Sequence, residues 1–349
     1  MRPPLRGGFP RHYRQWREVT FADLQKVAAI RGPKPLPRAG SLSLFSMPET
    51  LVSQAPAKLN LALSVGPPAE DGMHPICTWM VAIDLCDELT VTRLEPDRLS
   101  RYAILWHEDA KRQSDIDWPI TRDSAVRAHL ALEQHTDSRL PVQLKLQKRI
   151  PVAGGLGGGS SDAAAMLRTV NELYDLGLSM DQLRELAAGI GSDVPFFVAG
   201  GSAVVQGFGE EIEHHDRAPQ LHAVIVFPEA MCPTGHVYSA LDELSPGPLR
   251  ADEVKSLIRL SHMSSLGPQA PFNDLTQPAI RVAPELQGHL ATLTELAERP
   301  AHVAGSGSSL FVLCDDALHA QYLAEAIEQR LDLPAVAVQP HEVCNVGAE

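Results

Sequence analysis

No stretch of this chain approaches about eighteen uninterrupted apolar residues, which argues against a membrane-spanning helix. Cations are in the minority: 30 Lys plus Arg face 43 Asp plus Glu, for a net charge of −13. A broad nucleic-acid-binding face needs the opposite balance. Neither a nucleic-acid partner nor a membrane is therefore expected. A local pocket can still invert the global sign and take an anionic substrate. Cysteine is sparse. Cys77, Cys86, Cys232, Cys314 and Cys344 are odd in number, widely spaced and never in a Cys-x-x-Cys pair. That pattern argues against a disulfide framework or a zinc site and suits a reducing cytoplasm. What is present, 349 residues with 44% hydrophobic and 21% charged, fits a globular protein of one large or two medium domains.

Charge is unevenly spread. Residues 1–46 hold nine basic residues, two acidic ones and six prolines. Such a segment is a poor core builder, and it lacks the apolar run of a secretory signal. Two readings stay open: an organelle transit peptide, or a disordered basic tail ahead of a true start at Met47.

Texture changes at residue 54. The pattern predicts strands over 57–65, 79–93 and 142–150, the last by strict alternation. A helix is expected over 124–134, with Asp123 as its N-cap. After the glycine run 154–159, Ser160, Ser161 and Asp162 read as N-cap residues of a helix over 163–174. A second helix is expected over 181–188, and short strands over 194–198 and 203–206. The second half alternates: strands at 221–227, 309–314 and 335–339, helices at 251–262, 274–281, 284–298 and 316–331. The polar run 210–220 suggests a boundary near residue 208, giving lobes of 47–208 and 209–349.

The run Pro151, Val152, Ala153, Gly154, Gly155, Leu156, Gly157, Gly158, Gly159, Ser160, Ser161 carries the most information. A glycine loop ending at a helix start presents several N–H groups and a positive helix end, which together cradle phosphate. It is not a Walker A loop, because no lysine precedes Ser160. The dinucleotide fingerprint fails too, because the sixth position counted from Gly155 is Ser160. The neutralising cation must come from elsewhere. Lys58, inside a strand start, is one source, against the alternative of an edge lysine that snorkels. Asp193 places a carboxylate at a helix-to-strand turn, against the alternative of a plain cap. A second small-residue loop, 305–309, permits close approach of a ligand or of the other lobe.

In order, APAKLNL, PVAGGLGGGSSDAA, GSDVPFF and AGSGSSLF resemble the signatures of the galactokinase, homoserine kinase, mevalonate kinase and phosphomevalonate kinase superfamily. Within it the pairing of PAKLNL with Asp71-Gly72-Met73-His74 is similar to the 4-diphosphocytidyl-2-C-methyl-D-erythritol kinases. The likeness covers about residues 54–345. It implies an α+β, two-lobed fold, with a left-handed β-α-β unit in the ATP lobe and a ferredoxin-like second lobe. It implies ATP and Mg²⁺ as cofactors, no metal site built by the protein alone, and a monomer or homodimer. Residues 151–161 match the ATP phosphate loop, and Lys58 and Asp193 match the catalytic pair. Asn60, His74 and Tyr238 match substrate-binding positions, the last two at the cytosine. The implied reaction phosphorylates the C2 hydroxyl of a cytidine-diphosphate-linked methylerythritol. Met73 departs from the family, which has tyrosine there, and Asp123-Ser124 stands where Asn-Leu is common. Two other readings stay open: a homoserine- or mevalonate-type kinase, and a nucleotide-binding regulator without turnover.

Overall fold

The computed structural model describes residues 49–263 and 266–341, so the basic segment 1–46 and its two readings lie outside the described residues. The first strand, β1 (Thr50–Val65), pairs antiparallel along its length with β2 (Ile76–Arg93). β2 then forks. Its first part pairs with β5 (Ser202–Gly207), and its last part with β4 (Val142–Lys148). β3 (Arg101–Trp106) lies parallel beside β4, with helix α1 (Ser124–Thr136) between them in sequence. Asp123 caps α1 as expected, its carboxylate accepting the N–H groups of Ala125 and Val126. The edge strand β6 (Glu211–His215) pairs with β5, and the two-residue β8 (Phe272–Asn273) pairs with β1, completing seven strands.

Helices α2 (Gly158–Leu173) and α3 (Met180–Ala188) bury their apolar faces in the core beside this sheet. Ser179 and Gln182 form a capping box that starts α3. The smaller sheet has the order β11-β7-β10-β9, antiparallel throughout, from β7 (His222–Val226), β9 (Ala301–Val303), β10 (Leu310–Cys314) and β11 (Ala335–Val338). Helices α5 (Thr234–Glu243), α6 (Ala251–Met263), α7 (Thr276–Val282) and α8 (Glu285–Ala297) lie between β7 and β9. Helix α9 (Ala317–Leu331) lies between β10 and β11. This β-α-β-β-α-β order is the ferredoxin-like arrangement. One apolar cluster contains Leu59 and Leu61 of β1, Trp79 of β2, Ile225 of β7 and Phe311 of β10, so the sheets share a core. The α+β class is as expected.

Two local expectations fail, and two strands go unpredicted. Residues 194–198 are not a strand but part of helix α4 (Val194–Ala199), which starts with Pro195 in its first turn. Proline suits that position because the N–H it lacks has no helical partner there. Gly158 and Gly159 belong to α2, so Ser160, Ser161 and Asp162 lie within the helix instead of capping it. Neither β6, inside the polar run 210–220, nor β3 is predicted. Of the cysteines, Cys77, Cys86 and Cys232 are buried and Cys314 half-buried, all unpaired, while Cys344 lies outside the described residues.

Candidate active site

Lys58 sits on β1 between two irregularities in its pairing with β2, at Pro56/Ala57 and at Asn60/Ala62. Such bulges re-aim side chains. Strand alternation puts Lys58 and Asn60 on the face opposite Ala57, Leu59 and Leu61. Lys58 is only 5% exposed. Its Nζ donates to Asn60 Oδ1 at 2.5 Å, and Asn60 Nδ2 donates to Thr78 Oγ1 at 2.8 Å. The Thr78 hydroxyl passes the chain on to the Ala62 carbonyl. Burial pulls the Lys58 pKa below the ordinary lysine value, and the charge of Asp193 opposes that shift.

Asp193 stands at the head of α4, between two helices and not at the helix-to-strand turn expected, and its side chain caps nothing. One oxygen lies 4.0 Å from Lys58 Nζ, and the side chain is 30% exposed. At that distance the two charges act on each other, but no direct hydrogen bond forms. The carboxylate therefore keeps its acceptor oxygens for another proton.

The glycine loop crosses above this pair. The Lys58 N–H donates to the Leu156 carbonyl at 2.9 Å, tying β1 to the loop. Gly157 is the N-cap of α2, with φ 72°. A Cβ there would meet the Phe197 ring at 2.8 Å and Lys58 Cγ at 3.2 Å, so only glycine lets the backbone lie this close. No side chain caps α2, which leaves its first N–H groups open to an anion. Ser161 Oγ is buried there without a partner. The 304–309 segment backs the loop: Ser309 N–H donates to the Gly154 carbonyl, and a Cβ on Gly155 would fall 2.0 Å from the Ala304 carbonyl oxygen. The sequence singles out both small-residue loops, and the fold nests one in the other.

His74 and Tyr238 meet with ring centroids 5.3 Å apart, tilted by 51°. His74 Nδ1 faces the Gly66 carbonyl at 2.9 Å, and its Nε2 lies 3.2 Å from Asp242, one turn beyond Tyr238 on α5. Burial pushes the Tyr238 hydroxyl up to about 12, with the Asp193 charge adding to it, which links this aromatic corner to the Lys58–Asp193 pair. Met73, beside His74, is 50% exposed, and its thioether stands where the resemblance implies a tyrosine.

Sequence reasoning missed Thr78, Asp242 and a buried trio beneath the loop. In that trio Lys148 Nζ donates to Asp87 at 2.5 Å and to Asp162 at 2.6 Å. A signal for Lys148 existed: strict alternation from Val142 puts it on the inward face with Leu144 and Leu146.

A profile described as "GHMP kinases N terminal domain" matches residues 123–201, which include the glycine loop and Asp193. A relative from Exiguobacterium sibiricum, a 4-diphosphocytidyl-2-C-methyl-D-erythritol kinase, is 35% identical over 78% of this chain and 92% of its own length. The chain belongs to the 4-diphosphocytidyl-2-C-methyl-D-erythritol kinase family. Another member of this kinase family, from Paenarthrobacter aurescens, is 32% identical over 80% of this chain and 90% of its own. A solved 4-(cytidine 5'-diphospho)-2C-methyl-D-erythritol kinase superposes with a TM-score of 0.68 at 32% identity, covering 84% of this chain and all of that one. The homoserine kinase from Cytophaga hutchinsonii superposes at 0.63 but with 16% identity, over 87% of this chain and 98% of that one, so it shares the fold alone. The chain is thus a kinase, and ATP is its phosphoryl donor.

Proposed function

We propose that this kinase transfers the γ-phosphoryl group of ATP to the C2 hydroxyl of 4-diphosphocytidyl-2-C-methyl-D-erythritol, a step in non-mevalonate isoprenoid precursor synthesis, with Lys58 and Asp193 as its catalytic pair. The observation that carries the role assignment is the buried Lys58 ammonium, 4.0 Å from a carboxylate that caps nothing, below an uncapped helix start. The glycine loop holds the phosphates through the open N–H groups of α2. Asp193 accepts the proton of the acceptor hydroxyl as its oxygen attacks the γ-phosphorus, and ADP departs. Lys58 keeps Asp193 ionised and stabilises negative charge that develops on the transferring group.

Mg²⁺ arriving on ATP needs only one or two protein oxygens, and the unpartnered Ser161 Oγ is a donor of that kind at the loop. Bound there, the ion would offset phosphate charge. Tyr238 would stack on cytosine and His74 would read its edge, with Asn60 holding Lys58 toward the acceptor. On this reading residues 47–208 form the ATP lobe and 209–349 the substrate lobe. All of these groups come from one chain, so a monomer or a homodimer would serve equally. Unpaired cysteines among the described residues, and the absence there of any helix long and apolar enough to cross a membrane, support a cytoplasmic setting.

The test is ADP release with three acceptors. Turnover with the cytidine-linked methylerythritol and none with homoserine or mevalonate is the expected result. Turnover with either of the other two, or with none, would overturn the substrate assignment.

A further inference from the structure

Beneath the glycine loop lies a charged trio shut off from solvent. Asp87, Lys148 and Asp162 are 0%, 4% and 2% exposed. Asp87 Oδ1 accepts the backbone N–H groups of Arg149 at 2.5 Å and Ile150 at 2.8 Å, the last two residues before the loop. Its Oδ2 accepts from Lys148 Nζ, which also donates to Asp162 Oδ2, in the second turn of the helix that leaves the loop. The two ends of the loop are also neighbours: a Cβ on Gly158 would fall 2.9 Å from Ile150 Cγ2 and 3.6 Å from Asp87 Oδ2. One ammonium thus joins the residues entering the loop to the helix leaving it.

We propose that the Asp87–Lys148–Asp162 bridge is a positioning clamp that sets the span of the ATP loop and thereby the enzyme's affinity for ATP. The inference rests on residues 151–161 being the ATP phosphate loop. Buried ion pairs are costly, and well-packed apolar groups often replace them without loss of stability, so stability alone gives little reason for three charges here. Geometry gives a better one. Loops of glycine have no side chains to fix their own shape, so the register between strand β4 and helix α2 must be set from outside. An anion bound to several N–H groups at once is sensitive to a small error in that register.

The two carboxylates are not equivalent. Both oxygens of Asp87 are engaged, by three donors in all, whereas Asp162 Oδ1 has no partner. Burial pushes the Asp162 pKa well above the ordinary aspartate value, with the Lys148 charge opposing. Loss of the charge on Asp162 is therefore the mildest change available, since it leaves Asp87 and Lys148 as a neutral pair. Asp162→Asn keeps an oxygen for Lys148 Nζ and so keeps the link. Asp162→Leu has the same branching at Cγ, is larger, and cuts it.

The experiment measures KM for ATP, KM for the cytidine substrate, kcat and the thermal midpoint for both variants. Asp162→Leu should raise the ATP KM about tenfold or more, with the other KM within about twofold, while Asp162→Asn stays within about twofold of the parent in both. Lys148→Met/Asp87→Asn cuts the same link while leaving an oxygen for the two N–H groups, and should reproduce the ATP-selective loss even if Asp162→Leu folds poorly. An ATP KM no higher in the Leu than in the Asn variant, or parallel rises for both substrates, would overturn the clamp. Gly159→Val separates the underlying reading, because its exposed Cβ would meet only the Ser124 side chain, with Oγ the nearest atom at 3.3 Å. Normal ATP affinity there would remove the ATP loop itself. Lost affinity there, with an unchanged Asp162→Leu, would remove only the clamp.

Discussion

Replacing Lys58 by Met and Asp193 by Asn, singly and together, tests whether the two groups act on one transition state. Met keeps most of the lysine stem and removes the cation, while Asn keeps the shape of Asp193 and removes its charge and proton affinity. Each single change should lower kcat by about a hundredfold, or ~2.7 kcal/mol of barrier. The structure sets the coupling. Two unit charges 4.0 Å apart interact by ~4 kcal/mol at an effective dielectric near 20. Asp193 is 30% exposed, and screening by water brings this to about 1–3 kcal/mol. The double variant should therefore lose only about 10²- to 10³-fold, where independent effects would give about 10⁴-fold. Rates of ADP release for the four proteins close the cycle. Losses that add to within about 0.5 kcal/mol would refute joint action. Full activity in Asp193→Asn would refute its role as proton acceptor.

Lys58 also predicts an alkaline limb. Its pKa is lowered by burial, so kcat should fall as pH rises through a value below 10.5, and this limb should vanish from the residual activity of Lys58→Met. For stability the sign is opposite: between the lowered value and 10.5 the unfolded chain binds the extra proton, so the lysine's contribution becomes more favourable as pH rises. Tyr238→Ala should weaken binding of the cytidine substrate by about 1–3 kcal/mol, the range for base stacking, with ATP binding little changed. Equal losses for both ligands in a titration would count against the cytosine corner. Gly155→Ala should cost about 1–2 kcal/mol for its positive φ alone. The 2.0 Å approach to Ala304 adds to that cost and displaces the loop. An unchanged thermal midpoint and ATP affinity would show that the loop adapts.

Much of this site is legible in the sequence because its pieces break local rules. A lysine in an apolar strand, five glycines in six residues and a carboxylate among apolar residues each invite a functional reading. What brings them together is tertiary and leaves little local trace. VPFFV reads as a strand because short apolar runs do not reveal their period, and only Pro195 hints at the helix. Gly158 and Gly159 look unfit for a helix, yet glycine serves where the first turn must press against Ile150 and Ser124. β6 escapes notice because an edge strand carries polar residues on its exposed side, as Glu211 and Glu213 do here. Asp87 is invisible without the fold, since its partners are 61 to 63 positions away. Lys148 differs, because the alternation from Val142 carries a signal for its inward face that sequence reasoning missed.

Gly155 rests on Ala304, about 150 positions away in the chain, with no side chain between them. On the proposed reading of residues 151–161, the nucleotide cradle therefore exists only when the second sheet has already docked. A partly folded chain has no preformed loop to offer, so ATP would bind the complete structure and ignore its fragments. Under that linkage, nucleotide at a hundred times its Kd would add about 2.7 kcal/mol to the stability of the whole chain, the small sheet included. Metabolite supply would then set how much of this enzyme stays folded, through a contact made only of backbone.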